Sequence, residues 1–173
     1  MRITFIGMPG AGKTCMGRAI ARKLKMRVVD GDKLIERRTG RKLQNIIDED
    51  GLEAFKRLEA ETLLSITDDD IIITPGGSAI YYHDVMQHFK ENGMVVYLYV
   101  SPEVIAERIG DFSQRGVVLE DGKTLFDLYN ERAPLFEKYA DIIVKCDGNR
   151  YPKYQNEALK KINGFIAASN KSK

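Results

Sequence analysis

The sequence predicts an α/β fold: a five-stranded parallel sheet with helices on both faces. Three observations carry this. Short β-branched runs alternate with helical stretches along the chain. Each run is nearly continuous in apolar character, as strands covered on both faces should be. The stretch "GMPGAGKT" (7 to 14) stands between the first run and the first helix, which is the setting a phosphate-holding loop needs.

The elements follow in order. "RITFIG" (2 to 7) reads as a buried strand, and Gly12 to about Leu24 as a helix. "RVVD" (27 to 30) is a second short strand. In "GLEAFKRLEAETLLSI" (51 to 66), Leu52, Phe55, Leu58, Thr62, Leu63 and Ile66 recur at helical spacing. "DIIIT" (70 to 74), "MVVYLYV" (94 to 100) and "DIIVKC" (141 to 146) complete the strands. Further helices run from Ser78 to about Glu91, Pro102 to about Ile109, Thr124 to Lys138 and Pro152 to Ala168. Pro102 and Pro152 suit first-turn positions, where a missing N–H costs nothing. Gly110 to Lys123, glycine-containing and charged, reads as a mobile excursion over the sheet's edge. Strand–helix alternation favours right-handed crossovers.

Bulk properties narrow the function classes. At 173 residues, with no linker or repeat, residues 1–173 read as a single domain. The formal net charge is +2, which argues against a dedicated nucleic-acid binder. The light basic cluster "ERRTGRK" (36 to 42) reads as a solvated helix face. Cys15 and Cys146 make no disulfide framework, and neither they nor His83 and His88 fall at metal-ligand spacing. With no leader ahead of "RITFIG" and no membrane-length apolar run, the expectation is a cytoplasmic protein without membrane partners. Its size is compatible with a monomer.

"GMPGAGKT" fits G-x-x-x-x-G-K-[ST] in full. Glycines let successive N–H groups turn inward on an anion, and the helix N-terminus adds free N–H groups and partial positive charge. Lys13 would reach the terminal phosphates of a nucleoside triphosphate, and Thr14 would offer its hydroxyl to Mg²⁺. Asp30 and Asp32 lie at the carboxyl end of the second strand, the ligand-binding edge of an open α/β sheet. One can hold a metal or its waters, and the other can take a hydroxyl proton from an acceptor. An N-cap and a turn residue would use the same aspartates. "ITPGGSAIY" (73 to 81) either brings backbone close to a ligand or makes a tight turn capped by Ser78, and both can hold. Arg115, in the glycine-containing excursion, is the cation best placed for a lid.

In this order, the residues resemble the shikimate kinase family, within the P-loop kinases close to the nucleoside monophosphate kinases. The resemblance rests on the phosphate loop, D-x-D, "GLEAFKRLE", the glycine pair, Arg115 and "NERAPLF", and runs from residue 2 to about 152. It implies a three-layer P-loop kinase fold, with a lid at about 110–123 and an acceptor-binding helical segment at about 31–66. It also implies ATP and Mg²⁺ as cofactors, and phosphorylation of shikimate to shikimate 3-phosphate. By the same resemblance, Gly10, Ala11, Gly12, Lys13, Thr14 and Cys15 would hold the ATP phosphates. Arg108 and Pro152 would flank the adenine, and Arg115 would close on the phosphates. Thr14 and Asp30 would serve the metal. Asp32 would bind the acceptor hydroxyl as base, Gly76, Gly77 and Ser78 would line the acceptor, and Arg132 would grip its carboxylate. Lys13, Asp32 and Arg115 would carry catalysis.

Three departures mark this chain. Lys56 stands where the family has an arginine, and a point charge does not replace a two-pronged fork. Arg57 should face about 100° away on the helix. Ser78 replaces a glycine beside the acceptor, and the lid reads "RGVVL" in place of R-P-L-L. Lys56 and Ser78 therefore keep open a kinase of another small hydroxy acid, hydroxy amino acid or sugar acid, still anionic. A GTPase switch would need N-K-x-D, whereas the one "NK", at Asn170, is followed by Ser172 and Lys173. Retained Asp30, Asp32 and Arg132 speak against a non-catalytic ATP-binding regulator. Paired carboxylates would repel a phosphate acceptor, against a nucleoside monophosphate kinase.

Overall fold

The computed structural model describes residues 1–109, 123–148 and 151–171. Its strands are β1 (Arg2–Ile6), β2 (Arg27–Asp30), β3 (Ile71–Thr74), β4 (Met94–Tyr99) and β5 (Ile142–Lys145). They form a sheet in the order β2-β3-β1-β4-β5, every pair parallel. The register sets Ile3 between Ile72 and Met94, and Asp30 beside Thr74. Strand β1 is central, so Ile3, Phe5 and Ile6 are wholly buried, as are Ile71 to Ile73 of β3. At the edge, β5 pairs with β4 and alternates instead: Ile142 and Val144 are buried while Ile143 and Lys145 are exposed. Continuous burial was expected of that run as well. An edge strand with one covered face accounts for the difference.

The helices are α1 (Lys13–Leu24), α2 (Gly31–Thr39), α3 (Leu43–Asp50), α4 (Leu52–Leu64), α5 (His83–Asn92), α6 (Pro102–Ile109), α7 (Leu125–Tyr139) and α8 (Tyr151–Lys171). The helix expected from Ser78 to Glu91 is two elements. A short 3₁₀ helix spans Gly77–Tyr81, Tyr82 is extended, and α5 then starts. The "ERRTGRK" cluster ends α2 at Gly40, whose φ of 68° suits glycine. Arg41 there pairs with Glu49 and Asp50. Ile35, Ile46 and Phe55 build a small second core that ties α2, α3 and α4 into one helical unit beside the sheet. Helix α7 carries Pro134 inside it, while Thr124 and Asp127 cap its start reciprocally.

In this strand order, the chain leaves central β1 towards β2 and returns to its other side through β4. The crevice outside the carboxyl ends of β1 and β3 is thus the switch point where α/β sheets take ligands. Helix α1 must lie close on the sheet for its N-terminus to face that crevice. Gly17 allows this: a Cβ there would stand 2.8 Å from Thr74 Cγ2 and 3.3 Å from Ile72 Cγ2. Gly17→Val is therefore expected to cost about 1–3 kcal/mol of stability by overpacking. A lowered urea midpoint would show this, and an unchanged midpoint would contradict the close packing.

Candidate active site

After β1 the backbone turns with Gly10 at φ 78° and Gly12 at φ 90°, conformations that side-chain-bearing residues rarely take. The Ala11 N–H closes the turn on the Met8 carbonyl. Gly12 is the N-cap of α1, and no acidic residue occupies the first turn. The N–H groups of Lys13, Thr14 and Cys15 have no helical carbonyl to pair with, so the loop and helix start form an anion cradle. The Lys13 ammonium curls back over it, donating to the carbonyls of Gly7 (2.9 Å) and Met8 (3.1 Å). Burial lowers the Lys13 pKa to about 8. The Asp32 carboxylate opposes that shift, Arg132 adds to it, and Asp30 and Glu59 oppose it further.

Asp30 ends β2 and caps α2. Its Oδ1 accepts the Lys33 N–H (3.2 Å), and its Oδ2 accepts the Thr14 hydroxyl (3.0 Å). One side chain therefore both caps α2 and meets the phosphate-loop threonine. Asp32 lies in the first turn of α2 and faces the same cleft. Water reaches it there, but the cleft walls strip part of its hydration. That desolvation, with Asp30 beside it, raises its pKa, and Lys13 opposes the shift.

These groups open into a cleft of about 1020 Å³. It gathers Gly10, Gly12, Lys13, Thr14, Cys15, Asp30 and Asp32 from the donor side with Lys56, Gly76, Gly77, Ser78 and Arg132 from the acceptor side. A neighbouring recess of about 300 Å³ takes Ala11 and Arg108. Arg108 is held there by the carbonyls of Cys146 (2.9 Å) and Gly148 (3.3 Å). Pro152 is exposed in the first turn of α8 and does not line that recess, whereas Tyr151 and Tyr154 do. Arg115 and residues 110–122 of the expected lid lie outside the described residues.

The departures from the family pattern have definite positions. Lys56 lines the mouth and pairs along α4 with Glu53 (2.7 Å), a half-exposed contact of small energetic weight. Arg57 is exposed and outside the cleft lining, as helix geometry requires. Ser78 does not cap a helix by its side chain. Its hydroxyl turns to Glu59, at 2.9 and 2.7 Å from the two carboxylate oxygens.

Glu59 had no role assigned from the sequence. It is 2% exposed and also accepts from the Tyr82 hydroxyl (2.8 Å). Burial raises its pKa, and the two hydroxyl bonds oppose that shift. A signal was present: Phe55, Glu59 and Leu63 share the buried stripe of α4, and an acid on such a stripe needs built partners. Opposite stands Arg132 of α7, 7% exposed. A Cβ on Gly77 would come within 2.9 Å of its Nη1, so the glycine pair allows the guanidinium to sit at the cleft wall.

A strand–loop–helix anion cradle with paired aspartates and a buried arginine in one cleft defines a P-loop small-molecule kinase. Similarity to known proteins narrows the class. The family model "Shikimate kinase" matches residues 9–163. Shikimate kinase of Bacillus anthracis is 36% identical over 161 residues, which is 93% of this chain and 98% of that protein. The solved shikimate kinase from Acinetobacter baumannii in complex with shikimate superposes with a TM-score of 0.84 at 27% identity, covering 97% of this chain and 93% of that one. Shikimate kinase from Aquifex aeolicus gives 0.81 at 26% identity, covering 96% and 99%. The chain belongs to the shikimate kinase family.

Lys13 yields a direct check. In the free protein its ammonium is expected to titrate near the value of about 8 set by burial, and to move upward when inorganic tripolyphosphate binds. Carbon-13 NMR of the Lys13 side chain would read this. A midpoint near the ordinary lysine value of 10.5 would contradict the enclosed geometry.

Proposed function

We propose that this protein transfers the γ-phosphoryl group of ATP to a hydroxyl of shikimate, giving shikimate 3-phosphate and ADP. The observation that carries the reading is the make-up of the cleft: an anion cradle at Gly10–Thr14, a carboxylate pair beside it, and the buried cation Arg132 in the same lining. Shikimate is a small carboxylated alcohol, so it needs a cation for its acid and a base beside its hydroxyl. Both are present in one cleft. The shikimate complex of the Acinetobacter baumannii relative supports the same acceptor.

The donor phosphates would lie in the cradle, with Lys13 leaving its two loop carbonyls for their oxygens. Mg²⁺ fits this donor set. It keeps most of its waters and takes one or two protein oxygens, and the Thr14 hydroxyl and Asp30 carboxylate already lie together at 3.0 Å. When bound, it supplies positive charge to the phosphate oxygens during transfer. Among the described residues there is no cluster of three acidic, histidine or cysteine ligands, so no all-protein metal cage competes with this arrangement.

Asp32 would hold the acceptor hydroxyl and receive its proton as the oxygen attacks the γ-phosphorus and ADP leaves. A raised pKa suits this, because the carboxylate then binds the proton more tightly. Arg132 would hold the acceptor carboxylate, with Lys56 adding charge at the mouth. Arg115 would close from the lid, and Arg108, in its recess, would meet the adenine. No helix among the described residues is long and apolar enough to cross a membrane.

The test is shikimate-dependent ADP release by the purified protein with ATP and Mg²⁺. Asp32→Asn is expected to lower kcat by about 10²–10⁴-fold with ATP affinity retained. The wild-type rate should fall on the acid side at a pH above that of an ordinary aspartate, since protonation removes the base. Saturable turnover with another hydroxy acid and none with shikimate would move the reading to that acid.

A further inference from the structure

Arg132 is a buried cation with an unusual set of partners. Among the described residues, no carboxylate stands at ion-pair distance from it. Its hydrogen bond runs from Nε to the hydroxyl of Tyr81 (3.0 Å). The guanidinium carbon also lies 5.0 Å from the centre of the same ring. Tyr81 in turn donates to Glu131 Oε1, and Glu131 Oε2 accepts from Lys123 (3.0 Å).

Glu131 and Arg132 are neighbours in α7, so their side chains leave the helix about 100° apart. The acid therefore reaches the cation through the tyrosine. This matters electrostatically. A direct ion pair would neutralise Arg132 and occupy its Nη groups. The bridge takes only Nε, and the Glu131 carboxylate polarises the Tyr81 hydroxyl into a stronger acceptor for it. Nη1, beside Gly77 at the cleft wall, is left for an incoming anion. Tyr81 is itself 40% exposed and lines the cleft, which a tyrosine serving the core would not do.

We infer that Tyr81, backed by Glu131, is a positioning residue that fixes the Arg132 guanidinium for two-pronged capture of the acceptor carboxylate. This rests on the proposed role of Arg132. It also bears on the lysine at position 56. Among the described residues no second arginine lines the cleft, so the orientation of Arg132 carries more of the selectivity for a planar carboxylate.

Steady-state kinetics with shikimate and ATP on the full chain test the inference through a double-mutant cycle. Tyr81→Phe keeps the ring over the guanidinium and removes the hydroxyl. It is expected to raise the shikimate KM about tenfold, the effect of losing one charge-assisted hydrogen bond, with the ATP KM unchanged. Lysine has no Nε–H fork, so in an Arg132→Lys background the added Tyr81→Phe change should alter the shikimate KM by less than about twofold. Glu131→Gln should raise it in the same direction as Tyr81→Phe, by less. An unchanged shikimate KM in Tyr81→Phe overturns the inference. So does an equal rise in both backgrounds, which would place the hydroxyl's action elsewhere. If Arg132→Lys alone leaves the shikimate KM unchanged, the assignment of Arg132 to the acceptor carboxylate falls first, and the inference falls with it.

Discussion

The cleft is organised around one enclosed ammonium. Lys13 follows a glycine in left-handed conformation at the start of α1, so its stem runs back over the loop and its charge is held at the end of β1. Enclosure lowers its pKa to about 8, and nearby carboxylates limit that fall. The two loop carbonyls that hold it are oxygen acceptors, the same kind of partner that phosphate oxygens would offer. Strand order, the close packing at Gly17 and the D-x-D after β2 all serve to bring this charge and its partners to one point.

Charges in the rest of the cleft are separated by sign and by function. Asp30 is used by the Thr14 hydroxyl and the α2 cap, while desolvation and the neighbouring Asp30 charge raise the proton affinity of Asp32. Glu59 is held by the hydroxyls of Ser78 and Tyr82, with Arg132 adding electrostatic support and no direct ion pair. Ser78, the residue that breaks the glycine pattern, thus has a partner of its own and does not fill the acceptor space with an unpaired side chain. The two cations line one cleft, Lys13 over the cradle and Arg132 beside Gly77, and lie close enough for Arg132 to lower the Lys13 pKa. Donor phosphates and an acceptor carboxylate would each bring the negative charge that these neighbouring cations call for.

Much of this was legible in the sequence. The parallel sheet followed from continuous apolar runs, and the cradle from Gly10, Gly12, Lys13 and Thr14 in a strand–helix setting. Arg57 faced away as its helix position required. What escaped notice depended on tertiary contact. The break at Tyr82 between the 3₁₀ helix and α5 reflects an extended residue whose hydroxyl is anchored to Glu59, 23 positions away. One-sided burial of β5 depended on its place at the sheet edge, which a local apolar run does not encode. Glu59, the acid of the α4 motif but given no role from the sequence, and Tyr81 act through partners distant in sequence, and no spacing rule joins residue 81 to residue 132.

Phosphorus-31 NMR of the protein with ATP, Mg²⁺ and shikimate follows the phosphoryl group itself. Direct transfer from the cradle to the acceptor predicts a new phosphomonoester resonance that grows in step with ADP, and only when shikimate is present. Growth of ADP with inorganic phosphate alone, and no ester, would contradict it.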